Sequence, residues 1–94
     1  MIGGDVSSFI DHSTYEEVAV LYKGKKYFFR GLLLDRSTGL LNFEVELWCD
    51  EYTETVYCAT ARSEKECMEK FLNDPIIDGK RFWEIEKEME WVEW

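Results

Sequence analysis

The sequence predicts an α+β fold: a two-layer, antiparallel four- or five-stranded meander sheet with one helix packed on one face, in the order ββββαβ. Three observations predict it. Leu41, Phe43, Val45, Leu47 and Cys49 alternate with Asn42, Glu44, Glu46 and Trp48, the period-two pattern of a half-buried strand. Turn clusters at Gly24-Lys25 and Asp35–Gly39 separate apolar runs at hairpin spacing. At Ser63 the period changes. Ser63-Glu64-Lys65-Glu66 is a capping box, and Cys67, Met68, Phe71 and Leu72 follow as one apolar stripe at helical spacing.

Taken in order, residues 1–13 hold Gly3-Gly4 and Ser7-Ser8 and read as a flexible lead-in, with a single α+β domain over 14–94. Ser13-x-x-Glu16 also fits a capping box, so a helix starting near Thr14 competes with a strand over Glu17–Lys23. The strand is preferred, because Val18, Val20 and Tyr22 alternate and β-branched residues favour strands. With Lys26–Leu34 it forms a hairpin around Gly24-Lys25, read as a type II′ turn that sets Tyr22 across from Tyr27 and Val20 across from Phe29. The third strand covers 40–49. The fourth, Thr53–Thr60, is read with Val56 and Cys58 inward and Thr55, Tyr57 and Ala59 outward. The helix over 64–73 ends before Pro75, since the residue preceding proline avoids the α region. Phe43, Val45, Leu47, Val56, Phe71 and Leu72 are the expected core.

The last segment has two readings. As a strand, it sets Glu84, Glu86, Glu88 and Glu90 on one face against Trp83, Ile85, Met89 and Trp91 on the other. As a helix, it aligns Phe82, Ile85, Met89 and Val92. The strand is preferred because it accounts for the glutamates and the large apolar groups together.

Composition bounds the function. Ninety-four residues fit one domain, and 46% apolar with 16% aromatic residues argues against disorder. Twenty Asp and Glu against eleven Lys and Arg give a formal charge of −9, which disfavours direct binding to nucleic acid or to an anionic membrane. Leu32-Leu33-Leu34 is the longest aliphatic run, far short of the ~20 residues of a membrane span. The first residues carry no secretory pattern, so the expected location is cytoplasmic.

No catalytic residue, cofactor site or metal set is expected. Cys49, Cys58 and Cys67 are odd in number and match no zinc knuckle, and are read as buried, reduced thiols. His12 is the only histidine and is read as an exposed loop residue. Lys23, Lys25 and Lys26 cluster at the first hairpin tip, opposite in charge to the acidic C-terminal segment, so a homo-oligomer through head-to-tail contact is compatible.

The features that point to a partner are the acidic ladder and the outward aromatics. A solvated row of carboxylates is a poor environment for acid–base catalysis, which needs one carboxyl with a raised pKa in a cleft. The leading expectation is a small acidic, non-enzymatic protein-interaction domain. Its partner would be another protein with a basic or mixed surface, engaged through Glu44, Glu46, Trp48, Tyr57, Glu84, Glu86, Glu88 and Glu90. A first alternative is a nucleic-acid mimic that inhibits a DNA- or RNA-binding enzyme, because glutamates two apart on a strand sit about 6.7 Å apart, near two phosphate rises. A second alternative is an enzyme whose site carries no recognisable pattern.

Overall fold

The computed structural model describes residues 1–48 and 52–93. A helix α1 (Val6–Tyr15) precedes four strands, β1 (Val18–Tyr22), β2 (Lys25–Asp35), β3 (Leu40–Trp48) and β4 (Thr53–Ala61). Helix α2 (Glu64–Asn73), a short hairpin β5 (Pro75–Ile77) and β6 (Lys80–Arg81), helix α3 (Phe82–Ile85), a 3₁₀ turn (Glu86–Glu88) and β7 (Glu90–Glu93) follow. Five strands form one antiparallel sheet in the order β4-β3-β2-β1-β7. The α+β meander is therefore present, with three α-helices among the described residues rather than one.

The lead-in expected over 1–13 is helical from Val6. Asp5 caps α1 by accepting hydrogen bonds from the Ser8 backbone amide (3.2 Å) and hydroxyl (3.1 Å). Ser13 does not cap a helix at Thr14: both residues lie inside α1, where their hydroxyls donate back to the Ile10 carbonyl. At the other end of the fold Ser63 caps α2 by accepting from the Glu66 amide at 3.2 Å, as its capping box requires. Asp74, extended before Pro75, closes that helix.

The first hairpin turns at Lys23-Gly24, one residue earlier than expected. Both have positive φ (50° and 76°), which makes the turn type I′ rather than II′. The pairing becomes Tyr22 with Lys25 and Val20 with Tyr27. This moves the register by two residues, one full pleat, so every side chain keeps the face the sequence assigned to it. Strand β4 differs. A bulge at Val56 sets Val45 opposite Tyr57 but Glu46 opposite Thr55. One extra residue reverses the faces beyond it, so Ala59 and Ala61 point inward while Cys58 is exposed on the outer face.

The core lies between the inner face of the sheet and the helices. Phe9 of α1 touches Phe29, Phe82 and Trp91, with ring centroids 5.3, 5.8 and 5.4 Å away. Phe71 of α2 touches Phe43 at 4.3 Å, Phe82 at 5.5 Å and Phe29 at 5.7 Å. Phe43, Val45, Leu47 and Phe71 are buried as expected, while Val56 and Leu72 are partly buried at its edge. Two glycines let other elements close on this layer. In β2, a Cβ on Gly31 would stand 2.7 Å from the Tyr15 backbone carbonyl carbon. Near the N-terminus, a Cβ on Gly4 would stand 2.4 Å from the Trp91 ring.

The C-terminal segment is not one strand. It folds as α3, a 3₁₀ turn and a four-residue β7. Phe82, Ile85 and Met89, spaced at i, i+3 and i+7, enter the core, so the helical period governs the first half of the segment. β7 pairs with β1, and Ile2 bridges to Glu90 along the other edge of β7.

Candidate functional site

The helices pack on one face of the sheet, and no described element crosses the other. Alternation along the strands decides which side chains stand there. With Phe29, Phe43 and Val45 in the core, residues 28, 30, 42, 44, 46 and 48 of the two central strands point outward. Trp48 is 51% exposed. It packs edge-on against Phe28 at 5.5 Å and pairs across the strands with Lys26. The Lys26 ammonium lies 5.1 Å from the Phe28 ring centroid and forms an ion pair with Glu93. Leu21 stands opposite Lys26, half-exposed, on the same face.

The acidic half of the face is organised by one arginine. Arg30 is paired across the strands with Glu44. Its Nε lies 3.6 Å from Glu17 and 3.7 Å from Glu46, and makes no hydrogen bond at those distances. Two carboxylates thus share one guanidinium, with Glu44 its cross-strand neighbour. Glu44 also faces Cys58 on β4, whose thiol is pushed up by burial and then by the Glu44 charge. The thiol is therefore exposed but weakly nucleophilic, since the thiolate is the reactive form.

The eight residues singled out from the sequence do not converge. Glu44, Glu46 and Trp48 share the outer face. Tyr57 does not: the bulge at Val56 turns it to the helical side, where its hydroxyl donates to Asp74 at 2.9 Å. Burial and then that carboxylate raise its pKa well above the ordinary tyrosine value. The acidic ladder is not formed. Glu84 sits in α3 beside the Arg81 backbone and guanidinium nitrogens, 3.5 Å from each. Glu86 is only 9% exposed and accepts from the Met1 ammonium at 3.0 Å. Glu88 is exposed in the 3₁₀ turn, and Glu90 is exposed at the start of β7, paired with Leu21 at the edge of the outer face.

Several other expectations change with the fold. Cys67 is buried, its thiol pushed up by burial, but Cys58 is exposed; both are free. Cys49 and the C-terminal Trp94 lie outside the described residues. His12 is on α1 rather than in a loop, 3.0 Å from Glu16 and 5.4 Å from the Trp91 ring. Lys26 is drawn to the acidic C-terminal strand of its own chain.

Phe28, Leu21 and Arg30 are the outer-face residues that sequence reasoning left out. Their signal was the second face of the first hairpin, where Leu21 and Phe28 sit in alternation with core residues. Among the described residues no group of three or more His, Cys, Asp or Glu side chains could hold a metal ion, and no helix is long and apolar enough to cross a membrane. The chain matches no protein-family model, no curated protein and no solved structure.

Proposed function

We propose that this chain is a protein-interaction domain that docks its partner on the outer face of the sheet. The observation that carries the reading is an aromatic pair, Phe28 and Trp48, on a sheet face that no described element covers, with Trp48 half in water. Aromatic residues at the centre of a mixed, partly paired charged surround match the anatomy of interface centres. Lys26 and Arg30 are held in cis by Glu93, Glu17 and Glu46, so the face offers carboxylates in excess of cations. A partner with a basic or mixed surface suits that balance. A flat face of this kind favours binding over catalysis, which needs convergent groups in a concavity.

The alternative of a nucleic-acid mimic has less behind it: Glu84, Glu86, Glu88 and Glu90 occupy a helix, a 3₁₀ turn and the first position of a strand, and of the glutamates named only Glu44 and Glu46 keep strand spacing.

The test is a pair of outer-face variants, Trp48→Ala and Glu44→Lys, with Glu88→Lys as an acidic residue off that face. Captured partner should fall sharply for the first two and little for the third, with circular dichroism unchanged. Removal of half-exposed Trp48 should cost about 1 kcal/mol of stability or less. Equal loss from Glu44→Lys and Glu88→Lys, with Trp48→Ala binding as well as the native chain, would assign binding to net charge and overturn the reading.

A further inference from the structure

The helical layer carries a groove of its own, of about 570 Å³, between α1 and the start of α2. Its floor is apolar, with Ile10 and the nearly buried Met68. Its rim holds Asp11, Tyr15, Glu64 and Lys65. The Tyr15 hydroxyl donates to Glu64 Oε1 at 2.6 Å, which ties α1 to α2 and fixes one carboxylate in place. The Tyr15 residue is nevertheless 65% exposed, which leaves its ring open to water. The Asp11 carboxylate takes no hydrogen bond or ion pair from any other described residue. Both carboxylates raise the pKa of the Tyr15 hydroxyl, Glu64 first through its hydrogen bond and Asp11 least, so both negative charges are felt at the same point.

We propose that this groove receives an arginine side chain of a partner polypeptide. Each part of the groove matches one part of that side chain. Ile10 and Met68 suit the methylene stem, which buries against apolar surface while its head stays polar. The open Tyr15 ring offers a face for the guanidinium to stack on. Asp11 and the second oxygen of Glu64 supply acceptors for its fork of donors, a geometry that favours arginine over lysine. Lys65 is the one cation on the rim, and the two carboxylates outnumber it. This site lies on the layer opposite the outer sheet face and stands independently of that proposal.

The test uses the full chain, with hexa-arginine as probe and hexalysine as the charge-matched control, followed by amide NMR. Hexa-arginine should shift the amides of Asp11, Tyr15, Glu64 and Met68 ahead of the rest of the chain. The double variant Asp11→Asn with Glu64→Gln should weaken its binding about fivefold to tenfold, while Glu69→Gln with Glu88→Gln, which removes the same charge elsewhere, should change it little. Tyr15→Leu should erase the preference for arginine over lysine. Shifts spread over the acidic surface, equal weakening by both double variants, or no preference between the two probes would overturn the proposal.

Discussion

Burial decides what single residues do in this chain, and the glutamates show it. Glu86 and Glu88 are two apart in sequence, yet one is enclosed and held by an ammonium while the other is in water. A carboxylate taken out of water needs a cation or donors, which the first residue of the chain supplies here. Charge-reversal of Glu86 would therefore report on folding rather than on binding. Tyr57 gives a pH-dependent case. Its pKa is raised in the folded chain by burial and by the hydrogen bond to Asp74. A raised pKa means that the folded state holds the proton more tightly, so the contribution to stability is complete below the ordinary value of about 10 and is lost as pH rises beyond it. Tyr57→Phe should then be less stable than the native chain at pH 7, with the gap closing toward pH 11. Urea midpoints at the two pH values measure this, and a gap that stays constant would place the Tyr57 hydroxyl outside the titrating contacts.

At the scale of elements, the sheet layer was legible because its periods are clean. Strands β1 to β4 and helix α2 lie within a residue or two of where alternation and the Ser63 capping box put them. The first hairpin slipped by two residues without changing a face, whereas the single-residue bulge at Val56 reversed one. Bulges leave no periodic trace, which is why Tyr57 was assigned to the wrong side. Helix α1 had a signal that was passed over: Asp5 before Val6, Phe9, Ile10 and Ser13 is a cap followed by helical spacing. The acidic alternation of the last segment outweighed the helical spacing of Phe82, Ile85 and Met89, although those three carry the packing. Two substitutions test how the elements are joined. Phe71→Ala removes the ring that bridges β2, β3 and α3, and should cost about 3–5 kcal/mol, with a loss under 1 kcal/mol indicating that α2 packs elsewhere. Gly31→Ala drives a methyl group into the Tyr15 and Glu16 backbone, and should cost about 1–3 kcal/mol in chemical denaturation. Gly24→Ala meets no atom within 4 Å, so any cost there comes from its positive φ alone. A neutral Gly31→Ala would show that the end of α1 does not close on β2 at this position.

For the whole molecule, the fold separates two surfaces that the sequence suggested were one. The acidic residues of the C-terminal segment are divided: Glu84 and Glu86 serve the packing of the chain on the helical side, while Glu90 pairs with Leu21 and Glu93 with Lys26 at the edge of the outer face. The outer sheet face keeps Glu44, Glu46 and Trp48 together and adds Phe28, Leu21 and Arg30. The molecule also contains its own control. Trp48 and Trp83 are each 51% exposed, but Trp48 stands on the open face while Trp83 packs beside Phe82 in the helical layer. The most direct measurement is photo-crosslinking in native cell extract, with a benzophenone amino acid placed at position 48 or at position 83 of otherwise unaltered chains. The account predicts a discrete crosslinked partner from position 48 that Glu44→Lys removes, and none of that species from position 83. The same species arising from position 83 and not from 48, or equally from both, would contradict the assignment of the docking surface to the sheet.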